Sequence, residues 1–188
     1  HEAVLHHGHL GAGFGGHRAR GTLKGFGVAL LLFLLLYYPI GMLWVHTIDD
    51  DPAFSAGAAQ PGASQAIALA AALIDREVDQ NRWTANDPFF LPGAALDNMP
   101  NFQQGVVAAL SRFAIEMTDQ IGRSRGSSQA DPDLEKAAGL LKYSGTVWVW
   151  DPSVSLMPTA SSEQQYRGAR AALLRYNQRL ANNQAIFD

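Results

Sequence analysis

The sequence predicts a mainly α-helical protein, with one N-terminal transmembrane helix followed by a helical bundle outside the membrane. Three observations lead to this fold class. A single apolar run, Gly25–Val45, contains no charged side chain. Four later segments carry apolar residues every three or four positions, which is the period of an amphipathic helix. The 188 residues provide room for this anchor and one modest domain.

The apolar run has the length and the flanks of a membrane anchor. As a helix it spans about 31 Å at roughly 1.5 Å per residue, close to a hydrocarbon core of about 30 Å. Arg18, Arg20 and Lys24 precede it, and three aspartates follow at residues 49–51. Because basic flanks stay in the cytoplasm, we expect a cytoplasmic N-terminus and a C-terminal part that is periplasmic or extracellular.

Two other interpretations of the run are a buried core helix and a cleaved signal peptide. Core helices seldom run this long without a polar position. The small residues at 56–58 look like a cleavage site but lie too far beyond the run. The run also exceeds the apolar stretch of about 7–15 residues in a signal peptide. We therefore predict an uncleaved helix over 25–46, with Pro39 near its outer end, where a kink is tolerated.

Composition excludes several classes of function. The net charge of −3 argues against nucleic acid as a partner, because such binding needs a basic face. The absence of cysteine excludes disulfides, thiolate metal sites and cysteine nucleophiles. No phosphate loop or dinucleotide fingerprint is present, and we predict no cofactor. Since the chain begins with His1 and not with Met, we expect a fragment or a processed form.

The remaining chain divides into three parts. Residues 1–24, rich in Gly and His, are expected to form a flexible cytoplasmic tail. Its histidines fit no defined ligand spacing, so we predict no metal site there. Residues 47–63 contain many small side chains, and we predict that they form a linker. We predict that residues 64–188 form a periplasmic α-helical domain.

Four helices are expected in this domain. The first covers about 64–80 and the second about 101–121. The third starts at Asp131-Pro132 and the fourth near Ser161-Ser162, where capping residues precede the apolar period. The stretch 146–150 alternates like a strand but has no evident partner. The expected inner faces consist of Ile67, Ala70, Ala71, Ile74, Val78, Val106, Leu110, Phe113, Met117, Ile121, Leu134, Ala138, Leu141, Tyr166, Ala169, Leu173, Tyr176 and Leu180.

The two helical pairs resemble each other in sequence. Each reads as a helix, a tryptophan, an Asp-Pro turn, a proline-bearing loop and an Ala-Ala-Leu helix, with the turns at Asp87-Pro88 and Asp151-Pro152. One interpretation is a tandem duplication giving two packed helical hairpins with equivalent loops on one side. The other is chance, because Ala, Leu and Pro are common in this chain.

The loop Trp83–Gln104 is the most unusual stretch outside the anchor, since long aromatic loops are either functional or packed by their own side chains. One interpretation is a binding surface. A second is that the aromatics close the bundle core while Asp and Asn cap turns, and a third is that residues 89–91 rest on a membrane or a partner helix. The candidate binding residues are Trp83, Asn86, Asp87, Phe89, Phe90, Asn98 and Asn101.

No catalytic residue is predicted. A carboxylate pair could perform glycoside chemistry only if both members faced one cleft. The acidic residues of the first two helices, among them Glu77 and Glu116, are also explained by solvated helix faces. We therefore favour a protein that is not an enzyme, without excluding one.

Several long blocks resemble one known family. They are HTIDDDPAF, ALIDREVDQNRW, NDPFFLPGAALDNMPNFQQG, DQIGRSRGSSQADPDL and YSGTVWVWDPS, in that order from about His46 to the end. They are similar to proteobacterial proteins catalogued as domain-of-unknown-function family two-three-three-three. The resemblance implies a single-pass inner-membrane protein of a Gram-negative bacterium with a helical periplasmic domain. It implies no activity, cofactor or catalytic residue.

These features lead to one main hypothesis and two alternatives. The main one is a membrane-anchored, non-enzymatic accessory or scaffold subunit of an envelope complex, with the lipid bilayer and other membrane or periplasmic subunits as partners. The first alternative is a cell-wall module that binds or cleaves glycan, using Glu77 or Glu116 with the loop aromatics. The second is a self-assembling membrane protein.

Overall fold

The computed structural model describes residues 16–124 and 129–185. Within them the chain forms five α-helices and no strand, which confirms the mainly helical fold class. The stretch 146–150 is irregular, because its carbonyls accept hydrogen bonds from Thr159 and Ser162 instead of from a second strand. The helices are α1 Gly16–Val45, α2 Gln65–Asp75, α3 Asn98–Ser124, α4 Pro132–Leu141 and α5 Ser162–Ala181.

Helix α1 contains the predicted anchor. Over Gly21–Val45 it is long and apolar enough to cross a membrane, and no residue of its most apolar part is buried inside the domain. A core helix would be covered by its own domain, so that interpretation does not fit. The helix is described from Gly16 onward, so the last nine residues of the predicted tail, 16–24, are helical. The physical reason is that extending an existing helix costs far less than starting one. Residues 1–15 lie outside the described part.

The other four helices form a bundle in which α5 is central. It packs against α2 on one side and α4 on the other, and α4 also packs against α3. Helices α4 and α5 therefore form a packed pair, whereas α2 and α3 touch at few points. The prediction of two packed helical hairpins is wrong for α2 and α3, because these two helices do not form a packed pair. The long connection over 76–97 separates α2 from α3, and each buries its apolar face against the second pair instead.

Three predicted helix starts are confirmed, and each has a capping residue in the sequence. Ser64, Asp131 and Ser161 are the N-caps of α2, α4 and α5, and each side chain accepts a hydrogen bond from a backbone amide of the first turn. Helix α3 begins three residues earlier than predicted, at Asn98. Pro100 is tolerated there because an N–H in the first turn has no partner within its helix.

The core consists largely of the predicted inner faces. Every predicted residue of α2, α4 and α5 is buried, as is Val78 just beyond α2. On α3, Val106 and Phe113 are only partly buried, and Val107 and Ala114 take the fully covered positions. The other three predicted residues of α3 are buried as expected. Helix α3 packs mainly against α4.

Candidate functional site

The seven predicted binding residues separate into two groups. Trp83 belongs to the core, because it is buried, its indole N–H donates to the carbonyl of Gly145 at 2.8 Å, and its ring packs edge-on against Tyr166. Asn98 and Asn101 lie at the start of α3, where the amide of Asn101 donates to Asp97 at 3.1 Å. These three residues do not line the cleft described next.

The other four, Asn86, Asp87, Phe89 and Phe90, line a cleft of about 780 Å³. Its opposite wall is the loop between α4 and α5, so both Asp-Pro turns lie at one cavity. Phe90 meets Trp148 edge to face, with ring centroids 5.7 Å apart. The remaining lining residues are Pro88, Tyr143, Thr146, Val147, Trp148, Trp150, Asp151, Pro152, Val154 and Thr159.

Sequence reasoning missed the second wall, in particular Trp148, Trp150 and Val154. A signal was present in the paired Asp-Pro turns, which predict loops on one side of the bundle. Residues 146–150 alternate like a strand, and this pattern does not indicate a cleft wall. Trp83 and Trp150 hold the same place in the two sequence units, yet Trp83 is buried and Trp150 is about half exposed.

Asn86 joins the two walls at the floor of the cleft. Its side-chain amide donates to the carbonyl of Val147 at 2.8 Å and to the carboxylate of Glu163 at 2.7 Å. Its side-chain oxygen is buried without a hydrogen-bond partner among the described residues. Because this oxygen is itself buried, it is not open to a ligand in the cleft, and leaving it unpaired costs free energy.

Asp87 is held within its own loop. Arg82 donates to both carboxylate oxygens at 2.9 and 3.0 Å. Burial raises the pKa of Asp87 above its usual value, and the charge and hydrogen bonds of Arg82 offset only part of that effect. A Cβ at Gly93 would collide with this carboxylate, so the close approach requires glycine there. Asp87 therefore shapes the loop as well as lining the cleft.

We call residues 83–97, which supply one wall of the cleft, the cleft loop. It is attached to α1 by two tyrosines. The hydroxyl of Tyr37 donates to the carbonyl of Phe90 at 2.9 Å, and that of Tyr38 donates to the carbonyl of Phe89. Both bonds use backbone acceptors, so they fix the path of the loop and leave its two phenylalanine rings free to face outward. Phe89 is 83% exposed.

A second contact lies closer to the end of α1. The short 3₁₀ turn Pro92–Ala95 packs on this helix, and a Cβ at Gly41 would overlap the ring of Pro92. Just beyond the helix, the amide of Thr47 donates to the sulfur of Met99 at 3.3 Å. The domain thus touches α1 along about two turns and again just after its end.

The predicted linker also packs on the domain. Arg76 is buried where α2 widens into a π-helical turn over Arg76–Gln80. Its guanidinium lies 3.6 Å from the carboxylate of Asp49 and 4.6 Å from the ring centre of Phe54. It also donates to Glu77 at 2.8 Å. Burial raises the pKa of Glu77, and the neighbouring Arg76 opposes that rise.

The carboxylates considered for catalysis are dispersed. Glu77 is fully buried beside Arg76, and Glu116 is exposed on α3. Neither lines the cleft, whose carboxylates are Asp87 and Asp151. Within residues 16–124 and 129–185, no group of three or more potential ligands could hold a metal ion.

The comparison with protein families assigns the chain to a group. A family model described as uncharacterized protein conserved in bacteria, DUF2333, matches residues 17–187. The chain belongs to the DUF2333 family. The match starts inside α1, so it includes the apolar helix and the whole helical domain of this DUF2333 protein. No curated protein and no solved structure matches the chain. The function of the DUF2333 protein must therefore be argued from its own geometry.

Proposed function

We propose that this DUF2333 protein is an accessory or scaffold subunit of a bacterial envelope complex. It is anchored in the inner membrane by α1, and it holds its helical domain at a set height on the periplasmic side. The supporting observation is the set of contacts between α1 and the domain. Tyr37, Tyr38 and Gly41 contact the cleft loop, and Arg76 holds the linker.

Such a connection suits positioning more than simple tethering. A domain on a free linker samples many heights and orientations. Here the close approach at Gly41 and the buried Arg76 restrict both. A fixed domain presents the same cleft to a neighbouring subunit in every copy, which is what a scaffold requires.

The proposed orientation rests on charge. Lys24 and two arginines precede the apolar part of α1, and three aspartates follow at 49–51. Basic residues are retained in the cytoplasm during insertion. The chain has no cysteine, so single cysteines at Lys24 and Gln60 can be labelled in intact spheroplasts. We expect an impermeant maleimide to label Gln60→Cys and not Lys24→Cys. Labelling of Lys24→Cys alone would indicate the opposite orientation.

Photo-crosslinking in cells tests the scaffold role. A photoreactive amino acid at Thr146, an exposed polar residue of the cleft, is expected to yield a discrete protein adduct, whereas one at Leu174 on α5 is not. Gly41→Leu should weaken the adduct, because it separates the loop from α1. Gly27→Leu is the matched control, since nothing lies near that position. An adduct of twice the chain mass would indicate self-assembly. Monomers without any adduct would contradict the proposal.

A second candidate function is binding of a cell-wall glycan in the cleft. The observation that favours it is the set of aromatic side chains that line the cleft, because sugars stack on aromatic rings. Soluble muropeptides titrated onto the detergent-solubilised chain should shift the emission of Trp148 and Trp150. Trp150→Ala should weaken this binding, and an unchanged spectrum at saturating muropeptide would exclude the candidate.

A further inference from the structure

Exposed apolar side chains of the domain are concentrated at the cleft. Outside α1, the large apolar residues that are strongly exposed in the described part belong to the two cleft loops, apart from Ile48 and Leu174. A surface of this kind usually marks a contact with protein or membrane. We call it the apolar rim, and it consists of Phe89, Phe90, Val149, Trp150, Val154, Leu156 and Met157.

The members of the rim are held together. Phe89, Phe90, Trp150 and Val154 line one cleft. The amide of Thr159 donates to the carbonyl of Val149 at 2.8 Å, which closes the loop that carries Leu156 and Met157. The rim is therefore one continuous feature with walls from both loops.

The position of the two phenylalanines along α1 indicates what the rim contacts. Tyr37 and Tyr38 lie eight and seven residues, respectively, before Val45, the last residue of α1. At roughly 1.5 Å per residue they are about 11 Å inside that end. Because they bond the carbonyls of Phe90 and Phe89, this part of the rim lies beside α1 at this depth and not beyond its end.

The span of the membrane can be measured from the other end of α1. A hydrocarbon core of about 30 Å needs about 20 residues of helix. Counted from Lys24, the last basic residue before the apolar part, it ends near Trp44. If the membrane ended at Tyr37 instead, it would cover only about 20 Å. A bilayer of ordinary thickness therefore extends past Tyr37 and meets Phe89.

We propose that the apolar rim is inserted into the leaflet at the C-terminal end of α1, where it contacts phospholipid acyl chains. The rim is continuous with α1 through the two tyrosine bonds, and this continuity favours lipid over a second protein. Among the residues that the structure describes, no lysine or arginine lines the cleft, while Asp87 and Asp151 do. Insertion is therefore hydrophobic and does not depend on anionic headgroups, unlike the binding of basic segments.

Depth-dependent quenching tests this contact on the full chain. Because the chain has no cysteine, Leu156→Cys and Met157→Cys each accept one environment-sensitive fluorophore. Glu135→Cys and Leu174→Cys, on exposed faces of α4 and α5, are controls. In phosphatidylcholine proteoliposomes, the two rim labels should emit at shorter wavelength, lose intensity with doxyl-labelled lipid and resist aqueous iodide. The controls should show the opposite behaviour.

Three outcomes would overturn the proposal. Rim labels quenched by iodide and not by doxyl lipid would place the rim in water. Labels shielded from iodide without doxyl quenching would indicate a protein contact, namely self-association in this purified system. Adding phosphatidylglycerol or high salt should leave the doxyl quenching unchanged. A strong dependence on either would contradict the hydrophobic mode of insertion.

Discussion

Gln103→Leu should destabilise the domain far more than the same change at the next residue. Gln103 is fully buried, and its amide N–H groups donate to the carbonyls of Glu77 and Arg82 at 3.0 and 2.8 Å. Its oxygen accepts from the amide and the hydroxyl of Thr84, both at 3.0 Å. This one side chain therefore connects α3 to the π-helical turn and to the start of the cleft loop.

The magnitude follows from these four hydrogen bonds. At a net value of about 0.5–1.5 kcal/mol each, they contribute roughly 2–6 kcal/mol. The hydroxyl of Thr84 can rotate toward another acceptor, whereas its buried N–H cannot. We therefore expect Gln103→Leu to cost about 3 kcal/mol. For a domain of this size that lowers the melting temperature by roughly 10 °C.

Thermal unfolding of the full chain in detergent, followed by circular dichroism and Trp fluorescence, measures this effect. Gln104→Leu is the matched control, because its side chain makes one hydrogen bond, to the carbonyl of Pro100 in its own helix. It should cost less than about 1 kcal/mol. Equal losses for the two variants would refute the role of Gln103 in holding the loop.

Three further predictions concern the junction and two buried charges. Gly41→Leu should accelerate amide exchange over 89–96, measured by mass spectrometry, while Gly27→Leu should not. Burial raises the pKa of Glu77, so its ionisation favours the unfolded chain. Stability relative to Glu77→Gln should fall as pH rises above 4.5, and parallel pH profiles of unfolding would contradict this. Although burial opposes it, hydrogen bonds from Arg179 and a backbone amide lower the pKa of Asp131. Asp131→Asn should therefore lose stability above pH 3.8, and denaturant unfolding should show the loss vanishing as pH falls through the lowered pKa.

Local signals account for the helices. The four-residue recurrence of Ile67, Ala71 and neighbouring residues predicts the buried face of α2, and Asp131 before Pro132 predicts the start of α4. Such signals act over one or two helical turns, within the reach of periodicity and capping. They do not determine which helices pack together, so the pairing of α2 with α3 was wrong.

The sequence by itself determined the membrane-spanning length of α1, the helical class, and the family resemblance. Only the tertiary structure decided that Trp83 closes the core while Trp150 stays on a rim, and that Tyr37 and Tyr38 bind the cleft loop. The physical reason is separation along the chain. Contacts such as Trp83 with Gly145, or Tyr37 with Phe90, join segments more than fifty residues apart. They form only when the packing of all the helices brings those segments together.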